Sequence, residues 1–189
     1  MGQVMQQLIA PVVAKIGSGY PTFVVTELYK PVATTIIPAR TEPFDVFAFC
    51  QSSSGFFVSR SLRKRLGLAS GSMAVSVPER PYVALKLWAN VYEDIRQFLP
   101  DEHLSTFEDI ALLTKAQLSG QWGFLSNDGS ANIAYLKGLR DKVFRVAVFW
   151  DPPDGGRSDG GWFADDWGIE KVDLLSCEDQ VIVPGYASL

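Results

Sequence analysis

Apolar residues recur at helical spacing near the start of the chain. Val4, Leu8, Val12 and Ile16 stand four positions apart, which places them along one face of a helix. Pro11 lies inside this run and is expected to kink or divide the helix, because proline lacks the N–H that a helix interior requires. The pattern therefore predicts an N-terminal helix over residues 4–16.

Shorter apolar runs between residues 22 and 77 predict strands. Residues 22–37 are rich in β-branched side chains, and Pro31 places that strand at a sheet edge or interrupts it. Three more strands are predicted at residues 44–50, at 56–58 as the hairpin partner of 44–50, and at 73–77. Residues 59–66 are basic with interleaved leucines and predict a short helix.

Two longer helices are predicted in the middle of the chain. The first begins at Pro81, a residue that suits the first position of a helix, and ends before Pro100. Its expected buried face consists of Leu85, Trp88, Tyr92, Ile95 and Leu99. Ser105 and Glu108 have the spacing of a capping box, so a second helix is expected from Ser105 to Gly120.

The pattern changes to an extended one after Gly120. Antiparallel strands are predicted at residues 131–136 and 143–150, and shorter strands at 162–167, 172–175 and 181–183. The segment DPPDGGRSDGG, residues 151–161, is too rich in proline and glycine for regular structure. The expected fold is α+β, with N-terminal helices followed by a C-terminal antiparallel sheet. Residues 1–189 are expected to form one domain, with a helix-rich portion over 1–120 and a β-rich portion over 121–189.

Length and composition favour an ordinary globular domain. The 189 residues are 47% hydrophobic, and no apolar run approaches the roughly 20 residues that span a bilayer. The N-terminus lacks the basic region of a signal peptide, so we expect a cytoplasmic protein with no membrane insertion. Cys50 and Cys177 are interpreted as separate thiols, with one long-range disulfide as the alternative.

Charge is distributed unevenly. The chain has a net charge of −4, but residues 1–150 carry 15 basic and 12 acidic side chains, whereas residues 151–189 carry 2 and 9. The acidic end would repel nucleic acid and attract a cationic surface, so the expected partner is a protein. The basic cluster of Arg60, Arg63, Lys64 and Arg65 keeps nucleic-acid contact open as an alternative to a solvated helix face.

Candidate catalytic groups are sparse. His103 is the single histidine, which leaves no pair for a metal site or for a nucleophile and its base. We therefore expect no catalytic residues, no metal and no cofactor. An enzyme that uses the Asp-rich segment 151–166, a calcium site in that segment, and a structural or assembly subunit remain the alternatives.

Tryptophan is concentrated in the last third, at Trp122, Trp150, Trp162 and Trp167. Rigid aromatic side chains among small and polar residues are typical of binding surfaces. We therefore expect a ligand-binding protein whose partner contacts the loop-bearing surface from Trp150 to Trp167. The expected contact residues there are Trp150, Asp151, Asp154, Arg157, Asp159, Trp162, Asp165, Asp166 and Trp167.

The runs SNDGSANIAYL, VFRVAVFW, GGWFADDW and DQVIVPG, within residues 121–184, resemble the C-terminal part of the variable proteins of diversity-generating retroelements. The resemblance implies a C-type-lectin-like fold that displays ligand-binding residues on a fixed scaffold. It implies displayed positions at Asn132, at Tyr135, at residues 150–159 and at residues 162–167. The sequence lacks a Trp-Asn-Asp triplet, so calcium-dependent sugar binding is not implied.

Overall fold

The fold is described from a computed structural model of the chain. The structure describes residues 12–14, 23–25, 29–51, 55–67, 73–74, 79–87, 104–118, 120–138, 142–153, 160–167 and 178–185. Within these stretches lie eleven strands and three helices. The strands are β1 Val12–Ala14, β2 Phe23–Val25, β3 Tyr29–Ile37, β4 Phe44–Asp45, β5 Phe56–Val58, β6 Met73–Ala74, β7 Arg80–Leu87, β8 Asn132–Lys137, β9 Val143–Asp151, β10 Gly161–Trp167 and β11 Gln180–Pro184. The helices are α1 Val46–Gln51, α2 Arg60–Leu66 and α3 Phe107–Ala116.

A seven-stranded sheet forms the centre of the structure, with the order β3-β7-β11-β8-β9-β10-β5. Four neighbouring pairs are antiparallel, whereas β11 with β8 and β10 with β5 are parallel. The sheet is therefore mixed, and the expectation of a purely antiparallel sheet is wrong. Both parallel pairs join strands that are distant in the sequence, and local hairpin signals carry no information on such pairs.

Both faces of the central strands are buried. One face of the sheet packs against the three helices, and its core includes Phe56, Leu62, Ile110, Val146 and Trp162. The opposite face carries a second apolar cluster. Its buried members are Leu85, Leu104, Ala131, Ile133, Tyr135, Ala147, Val181 and Val183. Strands buried on both faces have nearly continuous apolar sequences, which hides the alternation that identifies a half-exposed strand.

The helix predicted from Pro81 is the clearest correction. Arg80–Leu87 is strand β7, which pairs with β3 on one side and with β11 on the other. Tyr82 and Leu85 are both buried but belong to the clusters on opposite sheet faces. Pro81 is tolerated near the start of a strand as well as of a helix. The remaining residues of the predicted helix face, Trp88, Tyr92, Ile95 and Leu99, lie outside the described residues.

Two other predicted elements have the wrong type. Val12–Ala14 is a strand that pairs antiparallel with Phe23–Val25, in agreement with its two β-branched valines and not with the predicted N-terminal helix. Residues 4–11 and 15–16 of that predicted helix lie outside the described residues. The strand predicted at 44–50 is only two residues long and continues as helix α1. The Asp45 carboxylate accepts a hydrogen bond of 2.8 Å from the Ala48 N–H, three residues later, as an N-cap does.

Strand β5 is present where it was predicted but has a different partner. It runs parallel to β10 instead of forming a hairpin with residues 44–50. Because seven strands precede residue 120 and the helices are short and interspersed, the first 120 residues are not a helix-rich scaffold. The mixed helix-and-strand class is confirmed at that coarse level.

Helix α3 begins one residue later than the capping-box interpretation placed it. Thr106 is the N-cap, and its hydroxyl accepts a 3.2 Å hydrogen bond from the Asp109 N–H. Ser105 instead forms a bridge to β8, where its N–H donates to the Tyr135 carbonyl at 2.9 Å. The helix ends at Ala116, before the predicted Gly120, with Ile110 and Leu113 buried as expected.

Several predictions are confirmed. β8 and β9 form an antiparallel pair over nearly the predicted residues, and β3 with Pro31 is an edge strand of the sheet. Helix α2 begins after Ser59, whose hydroxyl accepts from the Leu62 N–H, and ends at Gly67 in a left-handed conformation. Residues 172–175, predicted as a strand, lie outside the described residues. In the described part of the chain, no helix is long and apolar enough to cross a bilayer.

Candidate binding site at one end of the sheet

Trp162 is a core residue. Its side chain is 0% exposed, its indole N–H donates to the Gln117 carbonyl at 2.7 Å, and its ring meets Trp150 edge-on at 5.5 Å between ring centroids. The expectation that Trp162 anchors a partner is therefore wrong. A ring sealed between helix α3 and the sheet offers no surface to a ligand, and its N–H is already satisfied.

Asn132 and Tyr135, the two positions of β8 that the resemblance implied are displayed, are also buried. Asn132 is 0% exposed and Tyr135 is 1% exposed. The Asn132 amide donates to the Ser126 and Val148 carbonyls, and its oxygen accepts from the Ser126 N–H and the Gln180 amide. An amide whose donors and acceptor are all used inside the protein is structural, so this expectation is corrected as well.

Asp165 and Asp166 lie in strand β10 and face the basic helix α2. Arg65 forms an ion pair with Asp166 at 2.5 Å, and the Ser61 hydroxyl donates to Asp165 at 3.4 Å. Partial burial raises the pKa of Asp166, although the charge of Arg65 opposes this. These carboxylates therefore join β10 to α2, and part of the basic cluster has an intramolecular partner.

The remaining predicted contact residues separate into two groups. Trp167 is half-buried, with the Arg145 guanidinium 5.7 Å from the centre of its ring. Trp150 and Asp151 are half-buried at the end of β9. Asp154, Arg157 and Asp159 lie outside the described residues. Among the described residues of the predicted surface, Trp150, Asp151 and Trp167 thus remain partly exposed.

Trp122 is the exposed aromatic residue that the sequence interpretation did not select. Its side chain is 84% exposed, far more than any other large apolar side chain among the described residues. It lies in an irregular segment of residues 120–130 that we call the Trp122 loop. The loop starts at Gly120, where a β-carbon would overlap the ring of Trp150, so the loop runs against the end of β9. The adjacent Gly123 was the available sequence signal, because glycines around a tryptophan favour a turn over a strand.

Buried amide side chains brace the Trp122 loop on both sides of the tryptophan. Gln117 donates to the Gln121 and Leu125 carbonyls at 2.9 and 3.2 Å, and its oxygen accepts from the Leu125 N–H at 2.7 Å. Gln180 donates to the Phe124 carbonyl at 2.9 Å. These bonds satisfy the loop backbone from within the core, so the exposed ring is carried on a fixed segment.

The tip of the Trp122 loop carries a stable negative charge. Asp128 accepts from the Ser126 hydroxyl at 2.7 Å and from the Ser130 N–H at 3.0 Å. These hydrogen bonds, that from Ser126 first, lower the pKa of Asp128 from 3.8 to about 2. Asp128 is exposed and fully ionised at neutral pH, and it lies close in sequence to Trp122.

In the part of the chain that the structure describes, there is neither a metal site nor a reactive thiol. Among the described residues, no three His, Cys, Asp or Glu side chains are placed to hold a metal ion. Cys50 is a free thiol, and burial raises its pKa to about 12, which keeps it protonated. The described site therefore offers an exposed indole on a braced loop whose tip carries an ionised carboxylate.

These features define the molecule as a mixed-sheet protein that presents a braced aromatic loop at one end of its sheet. Comparison of the chain with protein-family models, with curated proteins and with solved structures finds no match in any of the three. The function is therefore inferred from the geometry of the site.

Proposed function

We propose that this is a non-enzymatic binding protein that anchors a protein partner on the Trp122 loop. The observation that carries the proposal is the 84% exposure of the Trp122 side chain. A large aromatic surface in water is unfavourable, and exposed apolar groups that are retained on a folded surface commonly mark an interaction site. Tryptophan is also the residue most enriched among interface hot spots.

The bracing of the loop supports the same proposal. A partner that binds a mobile loop must offset the entropy of ordering it, whereas a loop held by Gln117 and Gln180 is already ordered. Tryptophan has only two side-chain torsions to fix on binding. The arrangement suits an anchor that inserts into a preformed pocket of the partner.

Charge favours a partner with a basic rim around that pocket. Asp128 is ionised at the tip of the loop, and Asp151 follows Trp150 at the end of β9. Residues 151–189 as a whole carry nine acidic and two basic side chains. Complementary charge at the rim accelerates association and fixes the orientation of the partner.

The expected result for Trp122→Ala is a loss of partner binding without a loss of folding. A partner is first isolated with the wild-type protein as bait, and its Kd is then measured for each variant by titration calorimetry. Removal of a hot-spot tryptophan should weaken binding by at least about 30-fold, equivalent to about 2 kcal/mol. Circular dichroism of the variant should be unchanged.

Val32→Ala is the matched control, because Val32 is a 49% exposed apolar residue on the edge strand β3. Its Kd should stay within about 2-fold of the wild-type value, as expected for a residue outside the contact. Equal losses in the two variants, or a Trp122→Ala Kd equal to that of the wild type, would exclude the Trp122 loop as the anchor.

The relation to retroelement variable proteins and the lectin-like fold stay predictions. Three of the positions expected to be displayed, Asn132, Tyr135 and Trp162, are buried, so a variable surface of that kind would be limited to the stretch after Trp150. A reverse transcriptase gene with a near-copy of the 3′ end beside the coding sequence would support membership. The enzyme and assembly-subunit alternatives also stay predictions.

A further inference from the structure

A cavity of about 440 Å³ lies between the end of β3 and the last turns of α3. Its walls are mostly apolar and include Ile37, Pro38, Leu112 and Leu113. Two cationic side chains, Arg40 and Lys115, line it as well. A volume of this size falls in the range of small-molecule sites, which are typically apolar with a few polar groups that orient the ligand.

The guanidinium of Arg40 is the unusual group in this cavity. All three of its nitrogens are shielded from solvent, and none has a hydrogen-bond partner within the part of the chain that the structure describes. The guanidinium carbon lies over the Phe44 ring, 5.1 Å from the ring centre. A cation–π contact offsets only part of the cost of removing a charge from water, so the guanidinium lacks an anion.

Lys115 adds a second positive charge to the same place. Its amine lies 5.4 Å from the centre of the Phe44 ring, so both cations stand against one aromatic side chain. The two ion pairs among the described residues involve Arg65 and Arg80 instead. Within the part of the chain that the structure describes, neither cation has a carboxylate partner. Two such charges on the wall of one cavity create a field that attracts an anion.

We propose that this cavity binds a small amphiphilic acid, an apolar molecule that carries one carboxylate. The apolar body occupies the space between β3 and α3. The Arg40 guanidinium turns from the Phe44 ring to the carboxylate and forms the paired hydrogen bonds that its planar fork favours, while Lys115 supplies the second charge. The ligand thereby neutralises a charge that is desolvated and unpaired in the free protein.

Isothermal titration with decanoate tests the ligand class. The expected result is saturable one-to-one binding, with a Kd on the order of 10–100 µM for a ligand of this size. Decanol, which lacks the charge, should bind at least about 10-fold more weakly, since a hydrogen bond to a charged group is lost. Inorganic phosphate alone should not bind measurably. Decanol binding as tightly as decanoate, phosphate binding as tightly, or no decanoate binding would each overturn the proposal.

Two variants locate the ligand in this cavity. Arg40→Met should weaken decanoate binding about 10- to 100-fold, while the melting temperature of the free protein stays equal or rises, because an unpaired buried charge is removed. Ala116→Phe, at the cavity wall, should block binding through a different side chain, so a folding failure of one variant leaves the other decisive. Lys64→Gln removes an exposed cation of helix α2 and is the control that should bind normally. A lower melting temperature with unchanged decanoate affinity in Arg40→Met would make Arg40 a structural residue and contradict the proposal.

Discussion

Replacing Trp162 by Ala is expected to lower the free energy of unfolding by about 3–5 kcal/mol. The side chain is completely buried, and its removal leaves a cavity between α3 and the sheet. It also leaves the Gln117 carbonyl without the indole N–H that it accepts at 2.7 Å. An unpaired buried acceptor adds to the cost of the cavity. Chemical denaturation, followed by far-ultraviolet circular dichroism, measures the change.

Trp122→Ala is the matched control for this prediction, since it removes the same side chain from an exposed position. Its free energy of unfolding should stay within about 0.5 kcal/mol of the wild-type value, as for surface substitutions that break no specific contact. The two tryptophans thus separate into a residue that stabilises the fold and a residue available for binding. Similar destabilisation by both substitutions would contradict the assignment of Trp162 to the core and Trp122 to the surface.

Asp109→Ala is expected to have the next largest effect, a loss of about 2–4 kcal/mol of stability. Asp109 Oδ2 accepts from the Tyr82 hydroxyl at 2.6 Å and from the Arg80 guanidinium at 2.9 Å, and the carboxylate is buried at the start of α3. The substitution leaves a buried hydroxyl and a guanidinium without this acceptor. Arg80 is partly exposed, so the loss should be smaller than for a fully buried ion pair. Urea denaturation of the single variant measures it.

A double-mutant cycle with Tyr82→Phe separates the hydrogen bond from the packing of the helix. The two substitutions should be less than additive by about 1 kcal/mol or more, since each removes the same Tyr82–Asp109 contact. Glu108→Ala, at the neighbouring position of α3, is the control and should cost under about 0.5 kcal/mol. Strict additivity of Tyr82→Phe and Asp109→Ala would show that the two side chains are not coupled.

The parts of the fold that the sequence predicts correctly carry local signals. β8 and β9 are consecutive antiparallel strands with a short charged stretch of sequence between them, and α2 has a serine N-cap and a glycine C-cap. β7 has no such signal. It is buried on both faces, and the three-residue spacing of Tyr82 and Leu85 also fits one face of a helix. The parallel pairing of β5 with β10 joins residues about a hundred positions apart, which no local pattern encodes.

Only the residue types of the candidate site could be predicted from the sequence, and not which of these residues are exposed. A cluster of tryptophans among glycines and aspartates indicates a binding surface, but burial decides which tryptophan is available. Trp162 alternates with Ala164 on the helix-covered face of β10, whereas Trp122 lies in a loop braced by Gln117. The burial of Trp162 depends on β5 and α3 packing around it, and the position of the Trp122 loop depends on the Gln117 amide. Both are tertiary contacts. Arg40 could not be identified from the sequence either, because a single arginine in a sequence gives no sign that its guanidinium is shielded from water.

Fluorine NMR of protein labelled with 5-fluorotryptophan can show whether Trp122 is the residue that meets the partner. The chain has five tryptophans, so the Trp122 and Trp162 resonances can be assigned by replacing each residue with phenylalanine in turn. In the free protein, the Trp122 resonance should move between H₂O and D₂O, because its ring is in solvent, and the Trp162 resonance should not. On addition of the unlabelled partner, the Trp122 resonance should shift and lose its solvent dependence while Trp162 stays in place. A Trp122 resonance that remains solvent-dependent and unshifted at saturating partner would contradict the assignment of the Trp122 loop as the binding anchor.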